Sequence, residues 1–232
     1  MIVFRDRGAR GRHHGGQLEA RYSFSFGSYL DPKHMGFRDL RVLNEDWIVP
    51  GAGFPEHGHD DMEIITIVLK GVVEHRDDLG NVTIIPAGDV QRMSAGTGIR
   101  HSERNPHPSD NAHALQIWII PSTFAGPPAY GQRSLGLDLH RNRWLVLASG
   151  DGRDDSLLIR QDAALEMIQL DDGARIDRET DPERGYWLQL VSGLIGLNGT
   201  EMREGDGAAI TDEARLTIEA DTDAQLLLID LP

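Results

Sequence analysis

At 232 residues the chain is long enough for one large β domain or two smaller ones, each with its own core. It contains no cysteine, which excludes disulfides and thiolate metal sites. Its formal charge of −14, carried by acidic residues in both halves, repels phosphate backbones and argues against direct nucleic-acid binding.

The opening MIVFRDRGARGRHHGG is basic over residues 5–12, Gly-rich, and reads as a mobile terminus. It has no apolar segment behind its charges, and no run of about 18 apolar residues occurs anywhere. A soluble cytoplasmic protein without membrane contact is expected. Further along come EIITIVLKGVVEHRDD, NVTIIPAG, ALQIWIIP, RWLVLAS, YWLQLVSGLIGLNGT, RLTIEA and AQLLLIDL. Each is rich in Val, Ile, Thr and Leu and ends at Gly, Pro, Asn or Asp, which predicts short strands. Asn198-Gly199 is a type I′ hairpin signal, and Leu79-Gly80-Asn81 serves similarly in the first half. Helical periodicity is confined to residues 156–165. The pattern predicts an all-β sandwich or barrel.

The chain also repeats itself. Gly71, Gly80 and Gly88-Asp89 recur as Gly193, Gly199 and Gly205-Asp206, both times between predicted strands. Residues 121–142, PSTFAGPPAYGQRSLGLDLHRN, break the strand rhythm and read as an interdomain connection. Two stacked β domains are expected, 1–135 with the connecting segment and 136–232.

Four residues stand out by spacing. His57 and His59 lie at i and i+2, as do His101 and Glu103, and on a strand such pairs share a face. Side by side, the two segments supply three imidazoles and one carboxylate. That set suits Fe, Co, Ni, Cu, Mn or Zn, not Ca or Mg, and leaves coordination positions open for chemistry. One His-x-His pair arises readily by chance; two i, i+2 pairs separated by strand-turn-strand segments are far rarer. His13, His14, His34, His75, His107, His113 and His140 read as solvated or structural. Trp118 and Trp187 read as core, Met93 and Phe54 as pocket walls.

Gly51–AGFPE–His57–Gly–His59–DDM–Glu63–IITIVLK–Gly71 resembles the first cupin motif, G-x5-H-x-H-x3-E-x6-G, with one extra residue before the last Gly. Gly80–NVTII–Pro86–Ala–Gly88–DV–Gln91 resembles the second, G-x5-P-x-G-x2-H, but Gln91 stands where most cupins have a metal-binding His. That departure is expected in pirins, whose third His comes later, in a stretch similar to QRMSAGTGIRHSE here. Residues 23–46, SFSFGSYLDPKHMGFRDLRVLNED, also resemble the pirin N-terminal signature. The chain is therefore identified as a member of the pirin family, on motifs that cover about the first 120 residues.

The resemblance implies two cupin domains forming a bicupin. It implies one divalent metal, iron(II) by preference, held by His57, His59, His101 and Glu103. Glu63, a ligand in many cupins, would lie roughly 13 Å beyond His59 on a straight strand and is expected to support the site from outside. Counting from the repeated glycines, the second domain offers Glu179, Asp181, Ile218 and Ala220, so it is expected to be metal-free. The implied activity is quercetin 2,3-dioxygenase-like, with a small enolic aromatic substrate, O2 and Glu103 as proton acceptor. The rival is a metal-dependent co-regulator that binds a protein partner.

Overall fold

A computed structural model describes residues 1–136 and 141–232, so His140 lies outside the described residues. Two compact units result. The first comprises Gly11–Leu135 and Leu157–Gln161; the second comprises Met1–Arg10, Gly136–Ser156 and Asp162–Pro232.

The chain opens with β1 (Ile2–Arg5), β2 (Gly11–Gly15), β3 (Leu18–Tyr22) and β4 (Leu40–Ile48). Then come β5 (Gly53–His59), β6 (Glu63–Lys70), β7 (Val72–Asp77) and β8 (Val82–Pro86). The first unit continues with β9 (Asp89–Ser94), β10 (Ile99–Arg104), β11 (Ala112–Ile119) and β12 (Ala129–Ser134). Its two sheets run β12-β9-β6-β11-β4-β3-β2 and β5-β10-β7-β8. In the second half follow β13 (Leu145–Ser149), β14 (Leu157–Leu158), β15 (Ala164–Leu170), β16 (Arg175–Glu179) and β17 (Gly185–Ser192). The chain ends with β18 (Leu194–Leu197), β19 (Thr200–Arg203), β20 (Gly207–Ile210), β21 (Arg215–Ala220) and β22 (Ala224–Leu231). The second unit contains the orders β1-β20-β17-β22-β15-β13 and β16-β21-β18-β19.

The glycine repeat has a structural basis. Gly71 and Gly193 sit at φ of 74° and 93°, at the corners from β6 to β7 and from β17 to β18. A Cβ there would come within 2.7 Å of the Asn111 carbonyl and 2.5 Å of the Asp223 carbonyl, respectively. Only glycine fits both the conformation and the space. Asn198 and Gly199, at φ of 47° and 80°, close the β18–β19 hairpin as the I′ signal requires.

The two units differ in how they fill their interiors. In the second, one apolar cluster runs through Leu188, Leu197, Ala208, Ile218, Ala220 and Leu228. In the first, two separate apolar clusters occur among the described residues. Ile64, Met93, Ala95 and Ile99 form one cluster, and Ile48, Ala52, Val68, Val73, Ile85, Ala112 and Ala114 form another. Because strand side chains alternate, the residue between Ile64 and Val68 on the same face of β6 is Thr66. Cross-strand pairing places Gln91 on one side of Thr66 and Gln116 on the other. The corresponding row in the second unit is Ala208, Leu188 and Leu228. Likewise His75 pairs with Glu103, where Leu197 pairs with Ile218. One apolar layer of the β scaffold is thus replaced by polar side chains in the first unit alone.

Three sequence expectations need correction. The Gly-rich start is not irregular: β1 pairs with β20, and β2 pairs with β3. The segment 121–142 is not purely a connection, since β12 within it adds to the edge of β9. Residues 156–165 form no helix. They contain β14 and the start of β15, preceded by a single 3-10 turn at Arg153–Asp155. Pairing partners far away in sequence decide all three cases against local composition.

Candidate metal centre

β5 and β10 run antiparallel, with His57 directly opposite His101. The i, i+2 spacing then brings His59 to the same face, and the three imidazoles cluster. Ring centroids lie 4.7 Å apart for His57–His59, 4.4 Å for His57–His101 and 5.0 Å for His59–His101. His57 Nδ1 donates to the Pro55 carbonyl at 2.8 Å, which turns its Nε2 inward. That nitrogen faces His101 Nε2 at 3.1 Å.

A register shift between His101 and Glu103 turns β10 as it passes the site. Glu103 is buried, with Gln116 Nε2 donating to Oε2 at 2.9 Å and Thr66 making a long contact of 3.5 Å to Oε1. Gln116 is held in turn by Trp118, whose Nε1 donates to its Oε1 at 3.1 Å. The candidate ligand atoms form two overlapping groups that share His101. One is His57, His59 and His101; the other is His75, His101 and Glu103, each with all atoms within 4.8 Å of one another.

The electrostatics favour a cation. Burial pushes His59 down to about 4 and His101 down to about 2, with the neighbouring imidazoles adding to the effect. Both imidazoles are neutral at ordinary pH. Burial also raises Glu103 to about 7, against the opposing hydrogen bonds from Gln116 and Thr66. Clustered imidazoles beside a buried carboxylate to which, among the described residues, no cationic side chain is bonded form a donor set that a divalent metal fits.

Glu63 is placed elsewhere. It is buried on the opposite pleat of β6 from Thr66, accepts a 2.7 Å bond from Ser94 and is balanced by Arg92 and Arg160. It belongs to neither group of candidate ligands. Trp187 is core as expected, but Trp118 is not simply core. Its ring stands edge-on to His59 at 4.8 Å and to Phe26 at 5.4 Å, so it borders the imidazoles. Met93 belongs to the apolar cluster against which Trp118 packs, and Phe54 packs in the other cluster.

His75, expected to be solvated or structural, is fully buried beside His101. Its signal lies in the register: VVEHRD alternates so that Val73 and His75 point inward together. In the second unit Ile218 and Ala220 are buried in the apolar cluster, while Asp181 and Glu179 are exposed.

A family model described as Pirin matches residues 3–119, and one described as Quercetinase C-terminal cupin domain matches residues 146–231. The chain is 45% identical over 232 residues to quercetin 2,3-dioxygenase of Escherichia coli K12, covering 100% of this chain and 99% of that one. It is 44% identical over 216 residues to a pirin-like protein of Caulobacter vibrioides, covering 93% of each. The crystal structure of the bacterial pirin YhhW from Escherichia coli, in complex with nickel(II), superposes with a TM-score of 0.95. That match has 44% identity and covers 100% of this chain and 99% of the other.

Proposed function

We propose that this chain, which belongs to the pirin family, is a metal-dependent dioxygenase that opens flavonols such as quercetin with O2. The observation that carries the reading is the convergence of three imidazoles beside buried Glu103, in a chain similar end to end to a quercetin 2,3-dioxygenase. His57, His59, His101 and Glu103 are the ligands we assign, with iron(II) the favoured metal. We assign the metal to the domain of residues 1–135, less the Met1–Arg10 segment that belongs to the second unit, and assign no metal to the domain of residues 136–232. The protein acts in the cytoplasm; among the described residues, no helix is long and apolar enough to cross a membrane.

A divalent metal bound there supplies Lewis acidity and a template for an enolic hydroxyl and O2. The chain supplies the rest. Pro55 fixes the His57 ring with Nε2 inward. Gln116 holds Glu103 Oε2, so Oε1, with only the long Thr66 contact, is the atom that takes the proton of the substrate's hydroxyl. Trp118 and Phe26 offer aromatic surface beside His59 for a planar substrate.

The test is reconstitution with Fe, Cu, Co, Ni and Zn separately, following quercetin loss, O2 uptake and CO release. At least one form should turn over, and His59→Ala should abolish both metal retention and turnover. Wild-type rates in His59→Ala, or no turnover in any metal form, would sink the proposal.

A further inference from the structure

His101 has imidazole nitrogens at both ends of its ring. Nε2 faces His57 Nε2 at 3.1 Å, and Nδ1 faces His75 Nδ1 at 3.4 Å. If Nε2 is to offer its lone pair to a metal, the ring proton must reside on Nδ1. His75 Nδ1 is the atom set to receive it there, and it accepts only if the His75 proton is on its other nitrogen. Asp77 holds it there, with Oδ2 3.0 Å from His75 Nε2.

Asp77 is itself fixed. Its Oδ1 accepts the backbone N–H groups of Leu79 and Asn81 at 3.1 and 2.9 Å, and Asn81 Nδ2 reaches Oδ2 at 2.8 Å. The side chains of His75 and Asp77 are both 0% exposed, so no solvent competes for these bonds. Gln91 Nε2 donates at 3.0 Å to the same His75 Nδ1 lone pair, which His101 Nδ1 and Gln91 therefore share as a three-centre bond. Tyr130 covers the ring, with centroids 4.9 Å apart. His75 therefore has no free nitrogen to offer a metal, despite its place in the group with His101 and Glu103. Gln91, at the position of the absent second-motif histidine, supports His75 instead of ligating.

We propose that His75 and Asp77 are positioning residues that set the tautomer of His101, and that Asp77, His75 and His101 form one directed hydrogen-bond chain ending at the metal. The inference rests on the metal-centre reading above. Groups behind a ligating imidazole tune its orientation and basicity, and removing them typically costs about 10–100-fold in metal affinity.

The test measures nickel(II) affinity by chelator competition in the full chain, together with imidazole nitrogen NMR of the zinc(II)-loaded protein. His75→Phe removes the acceptor and is expected to weaken nickel binding by about 10–100-fold. His75→Gln, whose amide oxygen can accept the bond, should lose less. Zinc-loaded wild type should show a downfield, exchange-protected proton on His101 Nδ1, and Asp77→Asn should shift it. If His75→Phe does not fold, the wild-type spectrum and the Asp77→Asn shift still decide. Wild-type affinity in His75→Phe, or a solvent-exchanging His101 Nδ1 proton, overturns the proposal. Wild-type nickel affinity in His59→Ala instead overturns the metal-centre reading, and this one with it.

Discussion

Replacing Glu103 with glutamine should change how the stability of the metal-free protein depends on pH. Burial holds the Glu103 carboxyl up to about 7 in the folded chain, against an ordinary value of 4.5. Below 4.5 it is protonated in both states. Between 4.5 and 7 the unfolded chain releases the proton while the folded one retains it, so stability falls as pH rises. At 1.36 kcal/mol per pH unit, the loss totals about 3 kcal/mol and levels off above 7. The substituted amide carries no such proton and keeps a carbonyl oxygen for Gln116. His59 and His101, pushed down to about 4 and about 2, act in the opposite sense. Their contribution is present above 6.5 and is lost as pH falls, but it is common to both proteins. The assay is urea unfolding in EDTA at about pH 4.5 and about pH 8. Relative to wild type, Glu103→Gln should gain about 3 kcal/mol between the two. A difference that does not vary with pH would refute the placement of Glu103 as an unpaired buried acid.

Two further substitutions probe the scaffold. Gly193→Ala places a Cβ 2.5 Å from the Asp223 carbonyl at φ 93°, so unfolding free energy should drop by at least about 1–3 kcal/mol, with nickel affinity unchanged. Leu188→Thr puts into the second unit the residue type that Thr66 represents in the first. Between Ala208 and Leu228 its hydroxyl finds no partner, so denaturant titration should show a loss of about 2–4 kcal/mol.

The fold is readable because its strands announce themselves locally. β6, buried on both faces, is apolar from Ile64 to Leu69 except at Thr66, and the repeated glycines mark corners where any side chain would strike backbone. What local patterns do not show is pairing to distant partners. β12 lies in a Pro- and Gly-rich stretch and is strand only because β9 has an open edge for it. β1 and β2 likewise owe their form to β20 and β3, not to MIVFRDRGARGRHHGG itself.

The same distinction separates the candidate ligands from their supports. His57 with His59 and His101 with Glu103 are visible because each pair is local, two residues apart on one strand. Thr66, Gln91 and Gln116 meet only through the register of β6 with β9 and β11, and each alone reads as an ordinary polar strand residue. Yet the glycine repeat contains the missing signal. Counted back from Gly71 and Gly193, Thr66 falls on Leu188; counted forward from Gly88 and Gly205, Gln91 falls on Ala208. His75, four residues after Gly71, falls on Leu197. A scaffold that fills these positions with apolar side chains in one copy and polar ones in the other has changed them for a reason other than packing, since each polar group must find a partner there to offset its desolvation. Their partners are Glu103, His75 and Asp77, the groups that surround His101.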